Sequence, residues 1–558
     1  MKQLQTQDYV IFFIYFFIVA FYGYWIYNRK KKTATDSKDF FLAEGSLTWW
    51  AIGASLIASN ISAEQFIGMS GSGFKMGLAI ATYEWMAAAT LIVVAIFFMP
   101  IYLKNKIYTM PQFLTQRYNS TVSTTMAIFW LLLYVVVNLT SILFLGALAI
   151  TTISGINFWV CMVGLGLFAI IITLGGMKVI GYTDVIQVFF LILGGLATTY
   201  LAIDLVSNHF GTGGIVEGFS FMMNKADDHF HMVFDQDNSN YLDLPGLTIL
   251  LGGMWIVNLN YWGCNQYITQ RALGADLPTA RNGLLFAAFL KLLMPVIVVL
   301  PGIAAYVLYQ EGLFQTEMLD ESNSLNPDRA YPVLLNLLPT GLKGLAFAAL
   351  TAAIVASLAG KANSISTIFT LDIYKKYFKR DATERQLVFT GRVAVVVSML
   401  IAGLIAPFMG IDKKGGFQYI QEYTGFVSPG IFAIFILGFF WKRTTSAAAL
   451  TAALITFPLS LLLKFIPSVT DLSAFSGYGL AALNRDSGLY EIPFLDRMGI
   501  VFVVCVAVMV IMSLLDPKSK NNPQGLEVDS EMFKPNQAFT IGAIIILGIL
   551  SALYIVFW

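Results

Sequence analysis

Ala58-Ser59-Asn60-Ile61-Ser62-Ala63-Glu64-Gln65 interrupts an otherwise apolar block at about 47–72, and Asn258-Leu259-Asn260-Tyr261-Trp262-Gly263-Cys264-Asn265 does the same within 246–268. Small and hydrogen-bonding side chains in mid-block, with Gly68, Gly71 and Gly73 following the first cluster, predict an unwound helix whose freed carbonyls face a cavity. Either cluster alone reads as a polar seam between packed helices. Their matched positions favour the cavity.

The chain around them is built for lipid. Of 558 residues, 57% are hydrophobic and 12% charged, against about a quarter charged in soluble proteins. Blocks of roughly 20 apolar residues, enough to cross about 30 Å of hydrocarbon, fall at 8–27, 47–72, 77–103, 122–151, 156–176, 181–206, 246–268, 282–309, 342–373, 386–409, 416–441, 445–466, 496–516 and 537–557. An all-α membrane protein of about fourteen transmembrane helices is predicted. The net charge of +1 gives no global field for nucleic acid, so the surroundings are the lipid bilayer and the ligands lie within it.

The two interrupted blocks are the second and the seventh, five spans apart. Five is odd, so two successive five-helix units cross with opposite topology, each opening on a broken helix. That is the pattern of an inverted-repeat secondary transporter with its site between the breaks. Lys and Arg gather in the odd-numbered loops: Arg29, Lys30, Lys31, Lys32 and Lys38 after the first span, Lys375, Lys376, Lys379, Arg380 and Arg385 after the ninth, with Arg117, Arg271 and Arg281 between. These loops are therefore predicted to be cytoplasmic and both termini outside. The first span reads as an anchor rather than a cleaved signal, since only Lys2 precedes it and the basic cluster follows it.

Other chemistries lack their residues. No phosphate-cradling loop is present, because Gly360-Lys361 has neither the earlier glycine nor a following Ser or Thr. Cys161, Cys264 and Cys505 lie in three different spans and offer no disulfide framework. The Asp227-Asp228-His229-Phe230-His231 run has no zinc-type spacing and reads as a solvated loop. An enzyme is not indicated; a transporter or a channel remains. Among basic residues within or ending spans, Lys343, Arg392, Lys464 and Arg497 read as snorkelling, whereas Lys291 and Lys361 lie deeper. Glu84, Lys291 and Gln421 converge with Tyr83, Tyr261, Trp262 and Phe417 on the centre. Carboxylate, amide, ammonium and aromatic faces together suit a neutral polyol such as a sugar.

At these residues the chain resembles the sodium/solute symporter family, and within it the bacterial sodium/glucose and sodium/galactose cotransporters. The resemblance is carried by Asn60-Ile61-Ser62-Ala63-Glu64-Gln65-Phe66-Ile67-Gly68-Met69-Ser70-Gly71-Ser72-Gly73, Thr183-Asp184-Val185-Ile186-Gln187, Tyr261-Trp262-Gly263, Phe289-Leu290-Lys291 and Phe417-Gln418-Tyr419-Ile420-Gln421-Glu422-Tyr423-Thr424-Gly425. It implies a leucine-transporter-type core of two inverted five-helix repeats. The chain would then divide into an extra N-terminal helix and basic cytoplasmic loop (1–46), a first repeat (47–206), an extracellular loop (207–245), a second repeat (246–441) and three C-terminal helices with their loops (442–558). A multi-pass protein of the bacterial inner membrane is implied.

By the same resemblance, Gln65, Glu84, Asn258, Lys291 and Gln421 bind a hexose, galactose or glucose, with Na+ as the coupling ion. Tyr261 stacks on the sugar as inner gate, with Asn60 as its hydrogen-bonding partner and Trp262 beside it, while Met69, Tyr83 and Phe417 form an outer lid. Sodium is implied at the carbonyls of Ala58 and Ile61 with Ala353, Ala356 and Ser357, and Asp184 assists it on the cytoplasmic side. One position departs from the family, which commonly presents two adjacent hydroxyl residues where this chain has Ala356-Ser357. Lys361 lies one helical turn beyond Ser357. Two readings of it stand: it pairs with Asp184 and modifies or partly replaces sodium, or it snorkels to cytoplasmic water. A sodium-independent or proton-coupled sugar carrier, a sodium symporter for another solute, and a solute-gated sensor or channel are the alternatives to sodium-coupled hexose uptake.

Overall fold

The computed structural model describes residues 4–29, 47–175, 177–320, 323–408, 416–521 and 525–558. The basic cluster Lys30, Lys31, Lys32 and Lys38 lies outside the described residues. In hydrocarbon a backbone has no water to bond to, so it satisfies its own N–H and C=O groups as helix. The first part of the chain runs as α1 (Thr6–Arg29), α2 (Trp49–Asn60), α3 (64–76), α4 (77–104), α5 (Ser120–Ser154), α6 (Phe158–Thr173) and α7 (Met177–His209). It continues through α8 (Gly253–Gly263), α9 (Gln266–Leu273), α10 (Leu277–Gln310), α11 (Leu342–Phe378), α12 (Glu384–Phe408), α13 (Gly416–Gly425), α14 (Ser428–Phe440), α15 (Ser446–Ser468), α16 (Phe494–Leu515) and α17 (Gln537–Val556).

Helix covers every predicted apolar block, although not always as one piece. Among the described residues nine helices are long and apolar enough to cross a membrane, or ten if the bent pair α13 and α14 counts as one span. Thr6–Tyr22 and Phe158–Thr173 are shorter apolar helices.

Three interruptions shape the centre. After Asn60 the backbone turns extended at Ile61, with φ −76° and ψ 110°, and helix resumes at Glu64 as a π-helical turn. Ser62 starts the new helix: its hydroxyl accepts from Glu64 N at 3.1 Å, and its own N–H donates to Gln65 Oε1 at 3.1 Å. The Ser62-to-Gln65 spacing is thus that of a capping box. At the second polar cluster the outcome differs from expectation. Residues 258–263 stay helical within α8, and the chain breaks after them at Cys264 and Asn265, where the Asn265 side chain accepts from Tyr267 N at 3.1 Å to start α9. Polar side chains do not unwind a helix unless they also compete for its backbone. The third interruption, unforeseen within 416–441, is a 54° bend between α13 and α14, with Pro429 in the first turn of α14. Proline has no N–H to give to the preceding turn.

α10 packs along both halves of the first broken helix and along α4; α7 packs against α2, α10 and α11; α1 lies on α11. The contact is closest at Gly302 of α10, where a Cβ would lie 2.1 Å from the Ser70 carbonyl oxygen. α14, α15 and α16 form a flanking group.

Several polar residues sit otherwise than the sequence suggested. Arg117, Arg271 and Arg281 are buried rather than loop charges. Arg117 donates to the carbonyls of Gly438, Trp441 and Thr444 at 2.8, 2.9 and 3.1 Å, holding the last turn of α14. Arg281 donates to Ala95 and Met532 carbonyls at 3.1 and 2.7 Å. Lys464 and Arg497 do not snorkel but meet Glu422 at 2.8 Å each, and Lys343 is buried. His229 is also buried rather than solvated: its ring stacks on Tyr306 at 3.9 Å and lies 3.1 Å from the Phe74 carbonyl oxygen.

Since the α3–α10 contact leaves no room for a methyl group, Gly302→Ala is expected to lower stability by about 1–3 kcal/mol. Thermal unfolding in detergent checks this, with Gly548→Ala on α17, where nothing lies within 4 Å of the added carbon, expected to leave the midpoint unchanged or slightly raised.

Candidate functional site

The break in α2–α3, the C-terminal half of α8, the middle of α10 and the start of α13 surround one central cavity of about 80 Å³. Gln65, Glu84, Asn258, Lys291 and Gln421 all line it, with Asn60, Tyr83, Tyr261, Trp262 and Phe417. Met69 does not; it is fully buried one turn above Gln65.

Lys291 is the hub. Its ammonium donates to Glu84 Oε2 and to Asn60 Oδ1, and it lies 5.1 Å from the centre of the Trp262 ring. Lysine and glutamate side chains are 1% and 4% exposed, so the two charges face each other away from water. Asn60 turns its amide outward from this pair, and Nδ2 donates to the Tyr261 hydroxyl at 3.2 Å. Tyr261 and Trp262 meet edge to face at 5.1 Å. Asn258 Nδ2 is held by the Met254 carbonyl at 3.2 Å.

On the opposite side of the cavity the Tyr83 and Phe417 rings meet at 4.9 Å, edge to face. Their closeness depends on Gly68, where a Cβ would lie 2.8 Å from Phe417 N. The next residue, Gln418, faces away from the cavity and exchanges hydrogen bonds with Ser72 at 2.9 and 3.1 Å. Gln418 and Ser72 line a second cavity of about 400 Å³, a vestibule bounded also by Asp328, Glu422, Lys464, Arg497 and the 484–494 stretch. That stretch includes the loop and second strand of a short hairpin that pairs Ala482 with Glu491 and Leu483 with Tyr490.

The far face of the same break turns toward α11. Ser357 Oγ lies 2.9 Å from the Ser59 carbonyl oxygen and 3.4 Å from that of Ile61, and the Tyr267 hydroxyl also donates to Ser59. Converging neutral oxygens are the ligands a hard cation takes. The donors present fit Na+ in kind: the Ile61 and neighbouring carbonyls with the Ser357 hydroxyl, while Ala353 and Ala356 offer backbone oxygens only.

Asp184 and Lys361 are not partners. Asp184 Oδ2 accepts from Ser55 Oγ at 2.6 Å, and Arg271 stands 3.9 Å away while donating from Nε to Ser55 at 2.9 Å. Lys361 meets Glu64 instead, at 3.8 Å, and is 4% exposed, so it does not reach water either. α9 brings Arg271 between the two, and Gly360 leaves it space: a Cβ there would be 2.7 Å from the guanidinium. Arg271 escaped notice because it reads as a loop cation. Glu64, Asn138, Asn260, Asn265 and Thr424 also line the cavity without having been singled out. Asn260 Oδ1 has no hydrogen-bond partner among the described residues.

Comparison with known proteins bears on family and fold. The sodium:solute symporter family model matches residues 40–456. A sodium/glucose cotransporter of Vibrio parahaemolyticus is 47% identical over 562 residues, 100% of this chain and 99% of that protein. A sodium/myo-inositol cotransporter 2 of Oryctolagus cuniculus is 33% identical over 541 residues, 93% of this chain and 78% of the relative. The solved structure of a Na+-coupled sialic acid symporter, substrate-bound and outward-open, superposes with a TM-score of 0.73 at 22% identity, covering 92% of this chain and 98% of that one. At that identity the likeness establishes the fold, which is of the leucine-transporter type.

Removing one member of a buried ion pair strands the other, at about 3–5 kcal/mol. Lys291→Met is therefore expected to lower the thermal midpoint in detergent markedly, and the double variant Lys291→Met/Glu84→Gln to recover most of the loss.

Proposed function

Because the chain belongs to the sodium:solute symporter family, we propose that it couples inward Na+ movement to the uptake of a hexose, galactose or glucose, by alternating access. The observation that carries this reading is the two-sided use of one break. Asn60 and Gln65 turn into the polar, aromatic-walled cavity, while the carbonyls of Ser59 and Ile61 between and beside them turn toward Ser357 of α11. A cation that gathers those carbonyls fixes the backbone that presents Asn60 and Gln65 to the sugar, so each ligand favours the arrangement that binds the other.

Hydroxyls of the sugar replace the internal partners of Lys291, Glu84 and Asn60, so that no buried polar group is left unpaired when the sugar leaves or arrives. Gln65, Asn258 and Gln421 supply amides that both donate and accept. Tyr261 covers the apolar face of the ring, and its bond to Asn60 links that cover to the break. Tyr83 and Phe417 close the vestibule side. We assign 47–206 and 246–441 as the two repeats that rock about this centre. The protein is multi-pass, and its bacterial relative supports an inner-membrane setting; the Lys and Arg distribution supports an orientation with the vestibule and both termini on the outer side.

The test is uptake of radiolabelled galactose and glucose into proteoliposomes. An inward Na+ gradient is expected to drive accumulation that Li+, choline or a pH gradient does not; equilibration without Na+, or no hexose uptake under any gradient, would overturn the reading. Gln421→Ala is expected to raise the apparent sugar constant about five- to tenfold, from one lost hydrogen bond of about 1 kcal/mol.

A further inference from the structure

Resting on the sodium-coupled reading, we propose that Lys361 is a built-in cation that masks Glu64 and so sets the affinity for the coupling ion. The pair lies across the first helix break. Glu64 is the first residue of α3, immediately after the extended stretch, and Lys361 projects from α11 one turn beyond Ser357. Their charged atoms stand 3.8 Å apart, with 13% and 4% side-chain exposure, and both line the central cavity. Ser141 donates to the same Glu64 oxygen at 3.1 Å, which fixes the carboxylate in place.

Lys361 is also joined to the cation locus through Tyr267. Its ammonium lies 5.3 Å from the centre of that ring, and the ring's hydroxyl donates to the Ser59 carbonyl that Ser357 contacts at 2.9 Å. The neighbouring charges are already engaged with one another, since Arg271 faces Asp184 at 3.9 Å and both hold Ser55. Glu64 is therefore the carboxylate at the break whose charge Lys361 compensates. A site of neutral oxygens with one hydroxyl, as Ala356-Ser357 provides, depends on surrounding charge for its strength. While Lys361 is in place, a sodium ion arriving at the break meets a pair of net charge zero. Without it, the ion would meet an uncompensated carboxylate in a low-dielectric setting; without Glu64, an uncompensated ammonium.

Opposite signs follow for the two partners, which packing alone does not produce. In the full-length protein, the Na+ concentration giving half-maximal sugar uptake is expected to fall about tenfold in Lys361→Gln and Lys361→Met, to rise about tenfold in Glu64→Gln, and to stay near wild type in Lys361→Arg. Thermal stabilisation by NaCl against choline chloride in detergent, without sugar, reads the same constants independently of transport. Two substitutions at Lys361 keep the test decisive if one does not fold. An unchanged sodium constant in a folded Lys361 variant, or a shift in the same direction in the Lys361 and Glu64 variants, overturns the proposal while leaving sodium-coupled uptake by the wild type intact. Absence of sodium-driven uptake in the wild type overturns the coupling reading, and this inference with it.

Discussion

A backbone that leaves helical geometry in hydrocarbon must find other partners for its amides and carbonyls, and the arrangement of this site follows from how residues 59–65 do so. Ser62 and Gln65 cap the helix that resumes. Ser357 and Tyr267 come from two other elements to the Ser59 carbonyl. Those partners bring α9 and α11 to the break, and with them Arg271 and Lys361, while Asp184 reaches Arg271 and Ser55 from α7. On the other side the same stretch presents Asn60 to Lys291 and Tyr261. Substrate contacts and cation contacts are thus two faces of a single solution to backbone satisfaction.

The buried charges are arranged in opposite-sign contacts. Lys291 faces Glu84, Lys361 faces Glu64, and Arg271 stands near Asp184. Such pairs seldom stabilise a protein more than well-packed apolar residues of the same size, because desolvation offsets the attraction. The Lys291–Glu84 and Lys361–Glu64 pairs line the central cavity, where a pair that is satisfied internally can release one bond for each that a ligand supplies; Lys464 and Arg497 of the flanking group instead hold Glu422 at the vestibule. Arg117 and Arg281 differ in kind. They donate to backbone carbonyls, Arg117 at the end of α14 and Arg281 along α4 and at Met532, and serve as struts.

The apolar blocks were legible because hydrocarbon thickness imposes a length, and every block is helical in at least part of its extent. The first break was legible because small and hydrogen-bonding residues cluster at 58–65 within an apolar run, followed by Gly68, Gly71 and Gly73; the Ser62–Gln65 cap emerges only in the structure. The second falls at the end of the stretch 258–265 that signalled it: Asn258 and Asn260 stay in helix, and Asn265 is the residue that caps. Pro429, after Gln421, Glu422, Thr424 and Ser428, is the sequence signal for the bend between α13 and α14, but a proline at that place does not by itself distinguish a bend from a continuous span. Among the site residues, those on α3, α4, α8, α10 and α13 that line the cavity carry recognisable polar types in apolar settings. The partner of Lys361 was not readable. Sequence places Asp184 and Glu64 equally well in the membrane, and only the rotation of α7 and α11 and the insertion of Arg271 separate them.

α13 stands between the vestibule and the central cavity: Phe417 lines one chamber and Gln418, its neighbour, the other. Both sit near the N-terminal end of α13, a rod of ten residues, about 15 Å long, jointed to α14 by the 54° bend. Such a rod is a lever with its fulcrum at Gly425–Ser428. A pivot of roughly 20° there would sweep its tip through roughly 5 Å, and would have to part Phe417 from the α3 backbone at Gly68 and Gln418 from Ser72.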